Sequence, residues 1–114
     1  MTILNNKEEI LKIINELKYK NKKIVMCHGV FDVLHTGHIN HFIKSKSFGD
    51  ILIVSITDDK YIRKGPNRPF YNLTKRMQMV NQLKVVDYVI PSIEITAINN
   101  LKLVKPNIYS KGED

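Results

Sequence analysis

All four histidines of this chain, His28, His35, His38 and His41, fall within one short stretch. His35 and His38 stand three apart, with Thr36 and Gly37 between them and Gly29 just upstream. Residues three apart on a helix share a face, so both imidazoles can address one point. Imidazole titrates near neutrality, at ~6.5 in model compounds, and presents N–H donors. Two donors at one point can stabilise charge building up on a transferring phosphoryl group, without proton transfer. Thr36-Gly37-His38 would open a helix, whose free N–H groups and dipole favour an anion. Gly29, with no side chain, would let the backbone approach a ligand closely. Together these residues read as a phosphate-holding turn.

Zinc is the competing chemistry. His35, His38 and His41 at i, i+3 and i+6 sweep roughly 300° around a helix of 3.6 residues per turn, so they diverge. The single cysteine, Cys27, cannot complete a closed zinc site. No metal site is expected, and His28 and His41 are read as structural.

The elements that must position these residues follow from the apolar pattern. Ile10, Leu11, Ile13, Ile14 and Leu17 recur at helical spacing after a capping Asn5 or Asn6. Lys23 to Cys27 reads as a buried strand. Ile39, Phe42 and Ile43 mark a helix ending near Gly49. Ile51 to Ile56 is an apolar, β-branched strand of the kind covered on both faces. Leu73, Met77, Val80 and Leu83 predict a helix. Val85 to Ile90 predicts a third strand, stopped by Pro91. Ala97, Ile98, Leu101 and Val104 predict a short helix before Pro106, and Asn107 to Ser110 a fourth strand. This alternation predicts a Rossmann-like three-layer α/β fold, a parallel sheet with helices on both faces. Ligands bind such sheets beyond the carboxyl ends of the strands. Those ends carry His28-Gly29, Thr57-Asp58-Asp59 and Lys111-Gly112-Glu113-Asp114.

Composition narrows the class. A chain of 114 residues, 43% hydrophobic and 25% charged, is expected to make one globular domain. No apolar run approaches the ~20 residues that span a bilayer, and the first residues lack a signal-peptide pattern. With one cysteine and no such signals, a cytoplasmic location is expected. The formal charge of +7 favours an anionic partner. Lys60, Arg63, Lys64, Arg68, Lys75 and Arg76 cluster around Gly65, Pro66 and Pro69, which predicts a basic loop. The lysines around the first helix read as a solvated face.

His35-Thr36-Gly37-His38, preceded by Gly29-Val30-Phe31-Asp32, resembles the GxFDxxHxGH signature of the HxGH nucleotidyltransferases in their cytidylyltransferase-like branch. Gly49-Asp50, Asp59, Lys64-Gly65, Arg68-Pro69, Arg76, Val86-Asp87 and the ending Lys111-Gly112-Glu113-Asp114 extend the resemblance to sugar-phosphate nucleotidyltransferases. Within them the chain looks most like the adenylyltransferases that form ADP-heptose, and next like the glycerol-3-phosphate cytidylyltransferases.

The resemblance implies joining of a nucleoside triphosphate to a phosphorylated small molecule with release of pyrophosphate. It favours ATP, with CTP close behind, and a sugar or polyol phosphate as acceptor. It implies that Gly29, Val30, Phe31, Gly37 and Asp59 bind the nucleotide and that Gly112 and Glu113 lie beside the base. His35 and His38 would stabilise the transition state, Lys64 would reach the phosphates, and Arg76 would hold the triphosphate or the acceptor. Asp32 would order the turn by capping local N–H groups rather than act as a base. Mg²⁺ would travel with the triphosphate, and a homodimer is implied. Residues 1–114 are read as one nucleotidyltransferase domain lacking the family's C-terminal segment, which carries a Ser/Thr-rich phosphate motif.

Two other classes compete: a nucleotide-binding module without turnover, and a nucleic-acid binder driven by the positive charge. The intact His35, His38, Lys64 and Arg76 oppose the first. The second lacks a recognised motif, so neither nucleic acid nor membrane is an expected partner.

Overall fold

A computed structural model of the chain describes residues 2–62 and 67–112. Its elements are β1 (Thr2–Ile3), α1 (Lys7–Tyr19), β2 (Ile24–Gly29), α2 (Thr36–Lys46), β3 (Ile51–Thr57), a 3-10 turn (Asp59–Tyr61), α3 (Leu73–Asn81), β4 (Tyr88–Ser92), α4 (Ile98–Val104) and β5 (Ile108–Tyr109). The strands form one sheet in the order β1-β4-β3-β2-β5. Every pairing is parallel. This is the expected Rossmann-like architecture. The chain steps outward from β2 to β3 and β4, then returns to β5 on the other side of β2. The strand order therefore reverses at β2, where the motif residues stand.

Side-chain alternation along the strands divides the core into two layers. Val25, Cys27, Leu52, Val54 and Ile56 pack under α2 and α3 with Phe42, Met77 and Val80. Ile24, Met26, Ile53 and Ile90 pack under α1 and α4 with Ile10, Ile14, Leu17 and Val104. Burying each such aliphatic side chain fully is worth about 1.5–3 kcal/mol. Helix α1 starts where Asn6 accepts a hydrogen bond from the Glu9 N–H, and the Glu9 carboxylate accepts one from the Asn5 N–H.

Two expectations need correction. The sheet has a fifth strand, β1, which precedes the first helix. It is held by the Thr2 N–H donating to the Asp87 carbonyl and the Leu4 N–H donating to the Val89 carbonyl. Two residues are too short for any periodic signal. Nor does Pro91 stop β4, which runs on to Ser92 and pairs Pro91 with Ile56. Val89 faces β1, and Pro91, two residues further, faces the same side beyond the end of β1. Its missing N–H is needed by no neighbour there, as for proline on an edge.

Gly49 closes the turn from α2 into β3. A Cβ on it would lie 2.8 Å from the Lys23 carbonyl oxygen and 2.8 Å from Val25 Cγ2. The carbonyl belongs to backbone that also accepts from the Asp50 and Ile51 N–H groups. Gly49→Ala is expected to destabilise the fold by about 1–3 kcal/mol, the usual cost of overpacking. Urea unfolding measures this, and an unchanged midpoint would refute the steric account.

Candidate active site

His35 is the N-cap of α2, and its extended backbone (φ −139°, ψ 176°) turns the imidazole back over the first helical turn. Its Nδ1 accepts the Gly37 N–H at 3.0 Å. His38 Nδ1 accepts the His35 N–H at 3.3 Å. This is a capping box built from two imidazoles. The rings stack with centroids 3.9 Å apart and planes 26° apart. With each Nδ1 acting as acceptor, the neutral rings carry their proton on Nε2. Both therefore present Nε2–H donors at the helix N-terminus. A Cβ on Gly37 would meet His35 Cε1 at 2.8 Å, so the glycine makes room for the histidine ring.

The turn between β2 and α2 carries a strained residue. Phe31 adopts φ 51°, a left-handed conformation that costs a non-glycine residue about 1 kcal/mol or more. Its ring is buried and lies edge-on to His38, centroids 5.4 Å apart, and to Phe42 at 5.0 Å. It also folds back over Gly29, where a Cβ would meet Phe31 Cζ at 2.7 Å. Gly29 thus makes room for Phe31; the space above it was expected to admit ligand. Phe31 in turn braces the His38 ring.

Asp32 orders more than its own turn. Its Oδ2 accepts the Phe70 N–H at 2.8 Å and its Oδ1 the Tyr71 N–H at 3.0 Å. Arg68 Nη1 lies 3.3 Å from Oδ2, and its guanidinium stacks on the Phe70 ring at 3.9 Å. These partners are far away in sequence, whereas local N–H groups were expected. Burial works against the Asp32 charge, but the two backbone N–H groups and Arg68 outweigh it, and the carboxyl is held below its ordinary value. A carboxylate so occupied is not a base.

Arg76 corrects another expectation. It lies on α3, within the expected helix, but it is fully buried. Its Nε donates to the Tyr71 carbonyl at 2.9 Å, and Nη1 donates to the Val30 carbonyl at 2.9 Å and the Thr57 carbonyl at 2.7 Å. Nη2 pairs with the Asp59 carboxylate. Each of the three nitrogens is engaged, so Arg76 ties the site's walls together and offers no open guanidinium to a phosphate. Asp59, expected at the nucleotide, is its counter-charge. Val30 likewise gives its carbonyl to Arg76.

On the β5 side, Gly112 sits against His41 of α2; a Cβ there would come within 3.4 Å of the ring Nε2. The same nitrogen is 3.6 Å from the buried Cys27 Sγ. Burial pushes the Cys27 thiol up, against hydrogen bonds with Ser45 and Ser110. His41 is thus a packing residue beside Gly112, as expected, and sequence reasoning gave no hint of Ser45 or Ser110. His28 bonds Ser55 on the opposite face of the sheet. Lys64 and Glu113 lie outside the described residues. Among the described residues, no group of three or more His, Cys, Asp and Glu is placed to hold a metal ion. Nor is any helix among them long and apolar enough to cross a membrane.

A parallel sheet whose order reverses at a glycine-ended strand, followed by a helix opening on two stacked histidines, defines a Rossmann-like domain of the nucleotidyltransferase kind. Residues 26–114 match the cytidylyltransferase-like family, and the chain belongs to that family. It is 38% identical over 113 residues to the bifunctional protein HldE of Nitrosococcus oceani, covering 97% of this chain and 24% of that protein. It is 38% identical over 109 residues to the HldE of Sulfurimonas denitrificans, covering 94% and 23%. The chain thus spans about a quarter of the length of these curated relatives. A lipopolysaccharide core biosynthesis protein from Thermoplasma volcanium superposes with a TM-score of 0.71 at 36% identity, covering 77% of this chain and 72% of that one. A pantoate-beta-alanine ligase from Francisella tularensis, solved with beta-gamma ATP and beta-alanine, gives a TM-score of 0.71 at 25% identity, covering 96% and 55%.

Arg76→Lys keeps the charge but cannot reach four acceptors at once. It is expected to destabilise the fold by about 1–3 kcal/mol, the cost of leaving buried carbonyls without their donors. A variant of unchanged stability with weaker triphosphate binding alone would return Arg76 to the ligand. Asp32→Asn leaves one of two N–H donors facing an amide N–H, at a cost of about 1–3 kcal/mol near pH 7. Because the native Asp32 pKa is lowered, its stabilisation is present above the unfolded value of ~3.9 and disappears as pH falls through the native one. Urea unfolding should show the gap between wild type and Asp32→Asn closing in acid; a gap that widens contradicts the assignment.

Proposed function

We propose that this domain is a nucleotidyltransferase that joins a nucleoside triphosphate to a sugar or polyol phosphate and releases pyrophosphate. The observation that carries this reading is the stacked His35–His38 pair, its tautomers set by backbone N–H groups at a helix N-terminus. Two fixed donors suit the charge that develops on a pentavalent α-phosphorus. An acceptor phosphate oxygen attacks that phosphorus in line, and the bond to the pyrophosphate oxygen breaks.

The backbone of Val30 and Phe31 lies along the triphosphate through its N–H side, while Gly29 and Gly37 serve it indirectly by making room for the Phe31 and His35 rings. Lys64 reaches the phosphates from the segment between the 3-10 turn and residue 67. Arg76 and Asp59 hold the walls. Gly112 and Glu113 border the base. Mg²⁺ bound with the triphosphate would supply neutralisation of its charge. ATP is the favoured nucleotide, with CTP next; the ligase neighbour was solved with beta-gamma ATP. The acting unit is a cytoplasmic homodimer, a state that sedimentation equilibrium would test.

His38→Ala is expected to slow transfer by roughly 10²-fold or more, the scale of a lost oxyanion donor, with a native-like far-UV spectrum. The assay supplies each nucleoside triphosphate with Mg²⁺, pyrophosphatase and a panel of sugar and polyol phosphates, and follows phosphate release. Turnover undiminished in His38→Ala removes it from the chemistry. No release from wild type with any pair favours nucleotide binding without turnover.

A further inference from the structure

Outside the stacked pair, each remaining histidine sits in a polar cluster of its own. His28 joins Ser55, Thr57 and Asn100 on the α4 side of the sheet. His41 lies on the α2 side, where the transfer chemistry above leaves it without a role. Its Nε2 stands 3.6 Å from Cys27 Sγ of β2. Ser45, one turn further along α2, meets Ser110, the residue after β5, with the two Oγ atoms 2.6 Å apart. Both hydroxyls also bond the Cys27 thiol. Cys27 and Ser45 are fully buried. The seam between α2 and β5 is thus hydrogen-bonded, where apolar side chains would carry no desolvation cost. Hydrogen bonds have direction. This seam therefore fixes where β5 ends relative to α2, which non-directional apolar packing does not.

Strand β5 has two residues, and its backbone ladder ends where the Ser110 N–H donates to the Met26 carbonyl at 2.9 Å. Among the described residues, no backbone hydrogen bond holds Lys111 or Gly112 beyond it. The three atoms nearest to a Cβ on Gly112 all belong to the His41 ring, at 3.4, 3.5 and 3.7 Å. His41 and Ser45 are four residues apart on α2, a rise of about 6 Å. Ser110 and Gly112 are two residues apart, about 6.6 Å of extended chain. Ser45–Ser110 and His41–Gly112 are therefore successive rungs between helix and strand end. One further turn of α2 arrives at Gly37 and His38.

We propose that His41 is a positioning residue for the nucleoside: its ring sets the spacing between the start of α2, which faces the phosphates, and the Gly112 end of β5, which borders the base. The proposal rests on the nucleotidyl-transfer reading. With the triphosphate at the start of α2, the crevice between β2 and β5, where the strand order reverses, receives the nucleoside. A nucleotide is one covalent unit, so its phosphates and its base are held together only when these two walls stand at one spacing. His41 supplies that spacing before the ligand arrives, and Cys27 holds the ring from the strand side. Without the ring, Gly112 loses its nearest neighbour and its place has to be ordered by the ligand, at a cost in affinity. The phosphate end, built from His35, His38 and the helix start, does not depend on it.

The test compares two ligands in solution NMR titrations of the full chain with Mg²⁺: non-hydrolysable α,β-methylene ATP, and inorganic tripolyphosphate, which has the phosphates and no nucleoside. Both should move the His35 and His38 Cε1–H resonances. Only the ATP analogue should move the His41 Cε1–H and the Gly112 amide. His41→Ala should weaken the analogue by about tenfold, the scale of one lost preorganising contact, and leave tripolyphosphate within about twofold. His41→Gln, whose amide can stand where the imidazole Nε2 stands, should recover most of the loss. A Gly112 amide unmoved by the analogue, equal losses for the two ligands in His41→Ala, no loss there at all, or a His41→Gln no better than alanine would each overturn the positioning role. Should His41→Ala unfold, the wild-type resonances and His41→Gln decide. A wild type that binds neither ligand sinks the transfer reading and the positioning role with it.

Discussion

The buried guanidinium of Arg76 is the constraint on which the rest of the site depends. One side chain gathers the carbonyl of Val30 from the β2–α2 turn, that of Thr57 from the end of β3, that of Tyr71 from the approach to α3, and the Asp59 carboxylate. A buried charge is tolerated only when its donors are met, and these four acceptors meet them. The requirement works in both directions. The loops fix the arginine, and the arginine fixes the β2–α2 turn against the end of β3 and the approach to α3. Asp32 adds the opposite charge to the same junction, drawing in the Phe70 and Tyr71 N–H groups.

Around this junction, the site is shaped by rings that need glycines. Phe31 occupies the space over Gly29, and His35 the space over Gly37. Each ring orients the next, from Phe42 to Phe31 to His38 to His35. Hydrogen bonds to Nδ1 then decide which nitrogen of each histidine is the donor. Positioning of this kind is set before any ligand arrives, which is the condition for donors to favour a transition state over a ground state.

The two faces of the sheet divide the remaining chemistry. The α2 side carries His35, His38, His41 and the approach of Gly112. The α4 side carries His28, Ser55, Thr57 and Asn100. Neighbouring residues of one strand, His28 and Gly29, belong to different sides because strand side chains alternate. The four histidines that cluster in the chain are thus separated in space: two at a helix start, one packed against Cys27, and one bonded to Ser55.

The alternating apolar periods, the glycine-ended strand and the HxGH spacing were enough to define the Rossmann-like class, four of the five strands and the family. These are local signals: a period of about two or 3.6 residues, or a motif within ten positions, records how a segment meets the core. The partners of Arg76 and Asp32 were not legible, because all but Tyr71, five residues from Arg76, lie 17 to 46 residues away and bond mostly through backbone groups that every residue has. The same holds for β1, two residues held by its neighbour's carbonyls, and for Pro91, harmless only because β1 ends before reaching it. A chain's pattern decides which faces must be buried. Which charge meets which carbonyl is decided only when the sheet has brought distant segments together, since the energy of a buried polar group depends on its final partners and not on its own identity.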